Sequence, residues 1–209
     1  MDEEILRTAG EVGTRMNPKV AFVQVPKTGT VGIHILIGER CVQIKHEPWT
    51  THTAGEFRQE NPDAFIFAFL RNPYDRLVSA YSYLRMPTAH WADVEDCKKY
   101  VARYVDFRDF VVRGIGGGEA LEQRHCRPQV SWITDSGGLV VTNFLGRFER
   151  LQDDFDEVCR RVGWDRMEIP SINASPHGPY DGYYDEETAG IVARIYAKDF
   201  ELGGYNVRL

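Results

Sequence analysis

Two apolar runs, each cut off by polar residues that include a proline and each followed by a helical pattern, constrain this chain more than any other feature. Lys19 to Val25 is rich in Val and Phe and stops at Pro26; Thr30 to Arg40 can then wind into a helix with Val31, Ile35 and Leu36 facing inward. Ala64 to Leu70 is almost continuously apolar, the pattern of a strand covered on both faces, and Asn72-Pro73 ends it. Tyr74, Leu77, Val78, Tyr81 and Leu84 follow at helical spacing. Strand, loop and helix thus occur twice. That repetition predicts an α/β fold, a single domain with a central parallel sheet flanked by helices, whose strand order the chain order alone does not fix.

At 209 residues the chain is long enough for one domain with a sizeable core. We divide it into an N-terminal extension, 1–18, and a domain over 19–209. Cys41 to Lys45 reads as a second short strand, and Thr51 as the cap of a helix from His52 to Glu60. Val101, Tyr104, Val105 and Phe110 suggest helical packing in an irregular middle, where Gly116-Gly117-Gly118 permits a sharp connection. Leu139 to Phe144 reads as a short strand, and Leu151, Phe155, Val158 and Val162 as a helix ending near Gly163. Glu168 to Pro179 reads as a loop. A last helix is expected from Asp185 to Phe200, with acidic residues at its positive N-terminal end and Ile191, Ile195, Tyr196 and Phe200 along one face.

A formal charge of −6 argues against broad nucleic-acid binding, which needs a concentrated positive surface, but leaves room for a small basic pocket. Cys41, Cys97, Cys126 and Cys159 are widely spaced and form no C-x-x-C pair, so free thiols are expected and no metal site is. No apolar run approaches the roughly 20 residues that span a membrane, and Met1-Asp2-Glu3-Glu4 lacks the parts of a secretion signal. The expectation is a cytoplasmic protein or an excised soluble domain.

The loops after the two runs carry the chemistry. Lys27 offers a compact ammonium, Thr28 and Thr30 offer hydroxyls, and Gly29 lets the backbone turn closely around an anion. A helix starting there aims unpaired N–H groups at the same phosphate. The pattern G-x-x-x-x-G-K-[ST] is absent, which disfavours a metal-assisted kinase. Arg71 after the second run and Ser79 on the next helix could hold a second phosphate, so the two loops would grip different ends of one nucleotide. Asn72 and Asp75 are read as turn formers and Arg76 as structural.

Pro26-Lys27-Thr28-Gly29-Thr30 and Arg71-Asn72-Pro73-Tyr74-Asp75-Arg76-Leu77-Val78-Ser79-Ala80-Tyr81 resemble the two cofactor signatures of sulfotransferases that use 3'-phosphoadenylyl sulfate. The resemblance is closest to the carbohydrate sulfotransferases. It extends through Asn143 to Leu151, Asn173-Ala174-Ser175, Tyr183 to Thr188 and Ile195 to Phe200. It implies a P-loop-like sulfotransferase fold, with Lys27, Thr28, Gly29 and Thr30 around the 5'-phosphosulfate and Arg71 and Ser79 at the 3'-phosphate. The first signature departs from a common Pro-Lys-Thr-x-x-Thr-Ser form, because Val31 and Gly32 fill its last two positions; Thr30 is the displaced hydroxyl.

The resemblance implies sulfuryl transfer to a hydroxyl, with adenosine 3',5'-bisphosphate as product and a carbohydrate or other hydroxyl-bearing acceptor as partner. Lys27 is the expected stabiliser of the leaving group. His52 is the first candidate for the base that takes the acceptor proton, because His52-Thr53-Ala54 resembles a histidine-containing segment before the second signature. His46 competes, Glu47 and Glu56 are carboxylate alternatives, and His125 and His177 could orient acceptor groups. Tyr183, Tyr184 and the tryptophans offer stacking surfaces or packing equally. Two other readings stay open: a catalytically weak nucleotide-binding protein that retains both loops, and a small-molecule kinase using ATP. Oligomeric state is left open.

Overall fold

Residues 19–45, 53–86, 91–170 and 177–209 are described in this computed structural model. Four strands, β1 (Val20–Val23), β2 (Val42–Ile44), β3 (Phe65–Leu70) and β4 (Phe144–Arg147), form one parallel sheet in the order β2-β1-β3-β4. Its helices are α1 (Thr30–Ile37), α2 (Ala54–Glu60), α3 (Pro73–Leu84), α4 (Trp91–Tyr100), α5 (Phe107–Asp109), α6 (Val130–Ile133), α7 (Leu151–Val162), α8 (Glu186–Ile195) and α9 (Ala197–Gly203). Both apolar runs are central strands in parallel, with Val20 opposite Phe65 and Val23 opposite Ala68, as the sequence predicts.

Alternate residues of a strand point to opposite faces, and here the two faces differ in kind. One carries Phe22, Phe67 and Phe69, packed with Ile33 and Ile37 of α1 and Phe155 and Val158 of α7. The Phe22 and Phe67 rings stack at 4.9 Å, and Phe69 meets Phe67 edge-on at 6.1 Å. The other face carries Ala21, Val23, Ile66, Ala68 and Leu70 beneath α2, α3, α6 and the C-terminal helices. Large rings on one side and small residues on the other place α1 and α7 against the aromatic layer. Each fully buried ring contributes about 1.5–3 kcal/mol.

Helix ends follow local chemistry. Asn72 Oδ1 accepts from the Tyr74 amide at 3.0 Å and Pro73 occupies the first position of α3, where its missing N–H costs nothing. The cap of α2 is Thr53, in a reciprocal box with Glu56, and the helix starts at Ala54. The predicted cap Thr51 lies outside the described residues. Gly163 closes α7 in the left-handed region, φ 75°, as expected.

Several expectations are corrected. α1 packs inward through Gly32, Ile33 and Ile37, while Val31 and Ile35 are exposed. The fourth strand is Phe144–Arg147; Leu139 and Val140 lie on an exposed turn held by an antiparallel bridge from Thr134 to Val140. Val105 is exposed, and the packing after it continues through a wide helical turn at Phe110–Ile115. The last predicted helix is two, α8 and α9, broken at Tyr196, whose hydroxyl donates to the Cys126 carbonyl at 2.6 Å. All four cysteines are free.

Candidate functional site

The chain leaves β1 toward β2 on one side and leaves β3 toward β4 on the other, so a crevice opens between the ends of these two neighbours. The loops at its lips are 25–30 and 71–72.

In the first loop, three successive carbonyls are tied back into the protein. Thr28 Oγ1 donates to Val25 O at 2.9 Å, Arg76 Nε to Pro26 O at 2.9 Å, and Arg71 Nη1 to Lys27 O at 3.2 Å. Lys27 sits at φ 69°, the one non-glycine residue with positive φ among the described residues. Gly29 follows at φ 79° and caps α1 without a side-chain hydrogen bond, so the first-turn N–H groups of α1 lack the usual side-chain acceptor. A Cβ at Gly29 would also lie 2.6 Å from Leu151 Cδ2 and would have to push that side chain aside, on top of the strain of a positive φ. The Lys27 ammonium lies 4.0 Å from the centre of the Tyr83 ring. Burial, and then the Arg71 and Arg76 charges, bring its pKa down to about 8, against the opposing pull of Asp93.

The second loop is held through its backbone. Arg71 N donates to Gln129 Oε1 and Gln129 Nε2 donates to Arg71 O, both at 2.9 Å. The Asp199 carboxylate receives the Gln129 and Val130 amides at 2.7 and 2.8 Å. Glu149 Oε1 accepts from Asn72 N at 2.8 Å. The Arg71 guanidinium bonds Asp75 Oδ2 through Nε at 2.7 Å and lies 4.2 Å over the Phe148 ring. Asp75 thus orients Arg71 as well as serving the turn.

Of the predicted site residues, Lys27, Thr28, Gly29 and Thr30 form one turn at the start of α1, and Arg71 touches it. Ser79 is buried on α3, about two helical turns beyond Arg71. Arg76 is structural, as expected: it is buried and its Nη1 also donates to Arg127 O at 2.9 Å. His46, Glu47 and His52 lie outside the described residues. Glu56 closes the α2 cap. His177 is half-buried beside Gly178 O. His125 is buried next to Lys27's surroundings; desolvation takes its pKa down to about 3, helped by Arg124, Lys27 and Arg76 and opposed by Asp93, so the ring is neutral. Tyr83, Asp93, Arg124, Gln129 and Asp199 were not anticipated. Asp199 lies inside the Ile195 to Phe200 segment of the resemblance and Tyr83 one turn after Ser79, but neither carried a role there.

A family model described as the sulfotransferase family matches residues 34–206. The chain belongs to the sulfotransferase family. The match takes in Arg71 to Tyr81 and begins after the Lys27 loop, whose case rests on its geometry. Membership implies a sulfate donor. Carbohydrate sulfotransferase 10 of Gallus gallus is 22% identical over 231 residues, 90% of this chain and 64% of that protein, so the chain spans about 64% of that relative's length. A solved sulfotransferase from Alicyclobacillus acidocaldarius superposes with a TM-score of 0.39 at 16% identity, covering 90% of this chain and 96% of that one. Among the described residues, no group of His, Cys, Asp and Glu is placed to hold a metal ion, and no helix is long and apolar enough to cross a membrane.

Proposed function

We propose that the chain moves a sulfuryl group from 3'-phosphoadenylyl sulfate directly, in line, to a hydroxyl of a carbohydrate acceptor. The observation that carries this reading is the turn at Lys27, a lysine held in the left-handed region with its carbonyl on Arg71. Residues held in such conformations concentrate where a ligand is gripped. The groups around the turn are an ammonium, a guanidinium, the Thr30 hydroxyl and the uncapped N–H groups of α1, a donor set that fits phosphate and sulfate oxygens; the Thr28 hydroxyl is spent on Val25 O and shapes the turn. Bound there, 3'-phosphoadenylyl sulfate supplies an activated sulfuryl group and departs as adenosine 3',5'-bisphosphate.

In this reading Lys27, with the backbone N–H groups of Thr28, Gly29 and Thr30 and the Thr30 hydroxyl, stabilises charge on the leaving 5'-phosphate. Arg71 and Ser79 hold the 3'-phosphate and so distinguish this donor from other nucleotides. His52 takes the acceptor proton. The carbohydrate class is supported by the name of the chicken relative and by the sequence resemblance.

Calorimetry and rapid-mixing kinetics test the reading together. Arg71→Ala also removes the bond to Lys27 O and so should weaken both nucleotides, but adenosine 3',5'-bisphosphate about tenfold more than adenosine 5'-monophosphate, as expected for a lost charge-assisted contact to the 3'-phosphate. Equal losses for both ligands remove the 3'-phosphate role. With the sulfated donor and a panel of oligosaccharides, His52→Ala should slow the chemical step about 100-fold with donor binding intact. Tight bisphosphate binding with no turnover on any hydroxyl acceptor would leave a nucleotide-binding protein, and dependence on ATP with magnesium a kinase.

A further inference from the structure

Lys27 has a seat built from residues outside both loops. The Tyr83 ring lies on α3 with the Lys27 ammonium 4.0 Å from its centre. The Tyr83 hydroxyl donates to Asp93 Oδ2 at 2.8 Å, and Arg124 Nη2 donates to Asp93 Oδ1 at 2.8 Å. Asp93 is buried on α4. His125 stands behind, its Nδ1 3.9 Å from Asp93 Oδ1 and 3.0 Å from Gln123 Nε2, and its ring 5.3 Å from that of Tyr83.

A lysine is a point charge on four rotatable bonds, and its stem by itself does not fix where the charge sits. A ring face attracts the ammonium through its quadrupole, the more so away from water. The ring can do this only if it is held in one orientation, which the bond to Asp93 provides. Asp93 keeps its charge because Arg124 binds it: burial alone would raise its pKa, but the hydrogen bonds from Tyr83 and Arg124 and the Arg124 charge carry it below the usual carboxylate value. We propose that Tyr83 and Asp93 are positioning residues for Lys27, the ring face seating the ammonium and the carboxylate fixing the ring while offsetting the neighbouring cations. The proposal rests on the reading of Lys27 as a donor-phosphate ligand.

The charged groups that face Lys27 come from several elements, Arg71 before α3, Arg76 on α3 and Asp93 on α4, with the neutral but titratable His125 before α6 beside them. Arg71 and Arg76 disfavour its protonated form, and Asp93 favours it. Asp93→Asn should therefore move the Lys27 midpoint lower still.

The test uses the full chain with 13C-labelled lysine side chains, the Lys27 resonance being assigned by its loss in Lys27→Met. Its titration is followed by NMR, and adenosine 3',5'-bisphosphate affinity is measured by calorimetry on the same samples. Asp93→Asn should lower the midpoint, Tyr83→Leu should weaken the bisphosphate about tenfold, and Tyr83→Phe, which keeps the ring, about threefold. Near-ultraviolet circular dichroism checks each fold; if Tyr83→Leu does not fold, the Asp93→Asn midpoint and the Tyr83→Phe affinity decide. A parental midpoint in Asp93→Asn, or parental affinity in Tyr83→Leu beside a clear loss in Lys27→Met, overturns the positioning role. Parental affinity in Lys27→Met instead overturns its role as a phosphate ligand, and the Asp93→Asn midpoint still decides whether the seat exists.

Discussion

Lys27 occupies backbone geometry that glycine would adopt without strain. At φ 69° an ordinary side chain crowds its own carbonyl, at a cost of about 1–2 kcal/mol. The bonds from Arg71 and Arg76 to the loop carbonyls hold the turn despite that cost. A design for stability alone would place glycine here, and a lysine at this φ fits the phosphate-binding role proposed for it. Lys27→Gly should therefore be more stable than Lys27→Ala by about 1 kcal/mol, although glycine is the more flexible residue in the unfolded chain. Urea unfolding of the two variants checks this, and both should have lost donor-dependent turnover. Alanine equal to or above glycine would mean the turn relaxes once the lysine is gone. The role proposed for Lys27 was read from its place after an apolar run. Its strain was not, because no residue pattern specifies φ at a lysine.

At the scale of elements, legibility followed burial. β1, β3, α3 and α7 were readable because each buries a face whose residues repeat with a strand or helix period. β4 was hidden because Gly146 and Arg147 occupy a strand: a Cβ at Gly146 would collide with the Phe69 ring, so the gap in the apolar pattern is itself the packing solution. The inward face of α1 was misjudged for a related reason, since part of its contact is made by a glycine. A Cβ on Gly32 would lie 2.9 Å from Pro170 O and 3.0 Å from Ile169 Cγ2. The position where the family form carries serine is thus taken up by the chain after α7. Gly32→Ser should destabilise by about 1–3 kcal/mol and should not tighten adenosine 3',5'-bisphosphate binding. Thermal unfolding and calorimetry read the two outcomes, and a variant that binds the bisphosphate more tightly would show that serine reaches the ligand after all.

For the whole molecule, the polar groups beneath the loops contribute to the response to acid. His125 has its pKa reduced to about 3 by burial, against an ordinary value of 6.5. The unfolded chain therefore takes up this proton first, and stability from the neutral ring, complete above about pH 6.5, drains away as the pH falls toward 3. Asp93, also depressed, adds a loss in the same direction as the pH falls through its ordinary value of 3.8. His125→Gln should flatten the fall of Tm across the upper part of this window, in scans at stepped pH; an unchanged slope would assign the acid sensitivity elsewhere. The connections among these residues could not be found in the sequence, because they are long-range. Arg71 meets Gln129 across 58 positions, and Gln129 meets Asp199 across 70 more. Such contacts form only after long stretches of chain have been closed, which makes them late steps of folding. On a ribosome the first loop emerges well before residue 199, and until then the brace behind the second is incomplete, so a half-made chain carries the residues proposed to grip phosphate without the means to hold a nucleotide between them.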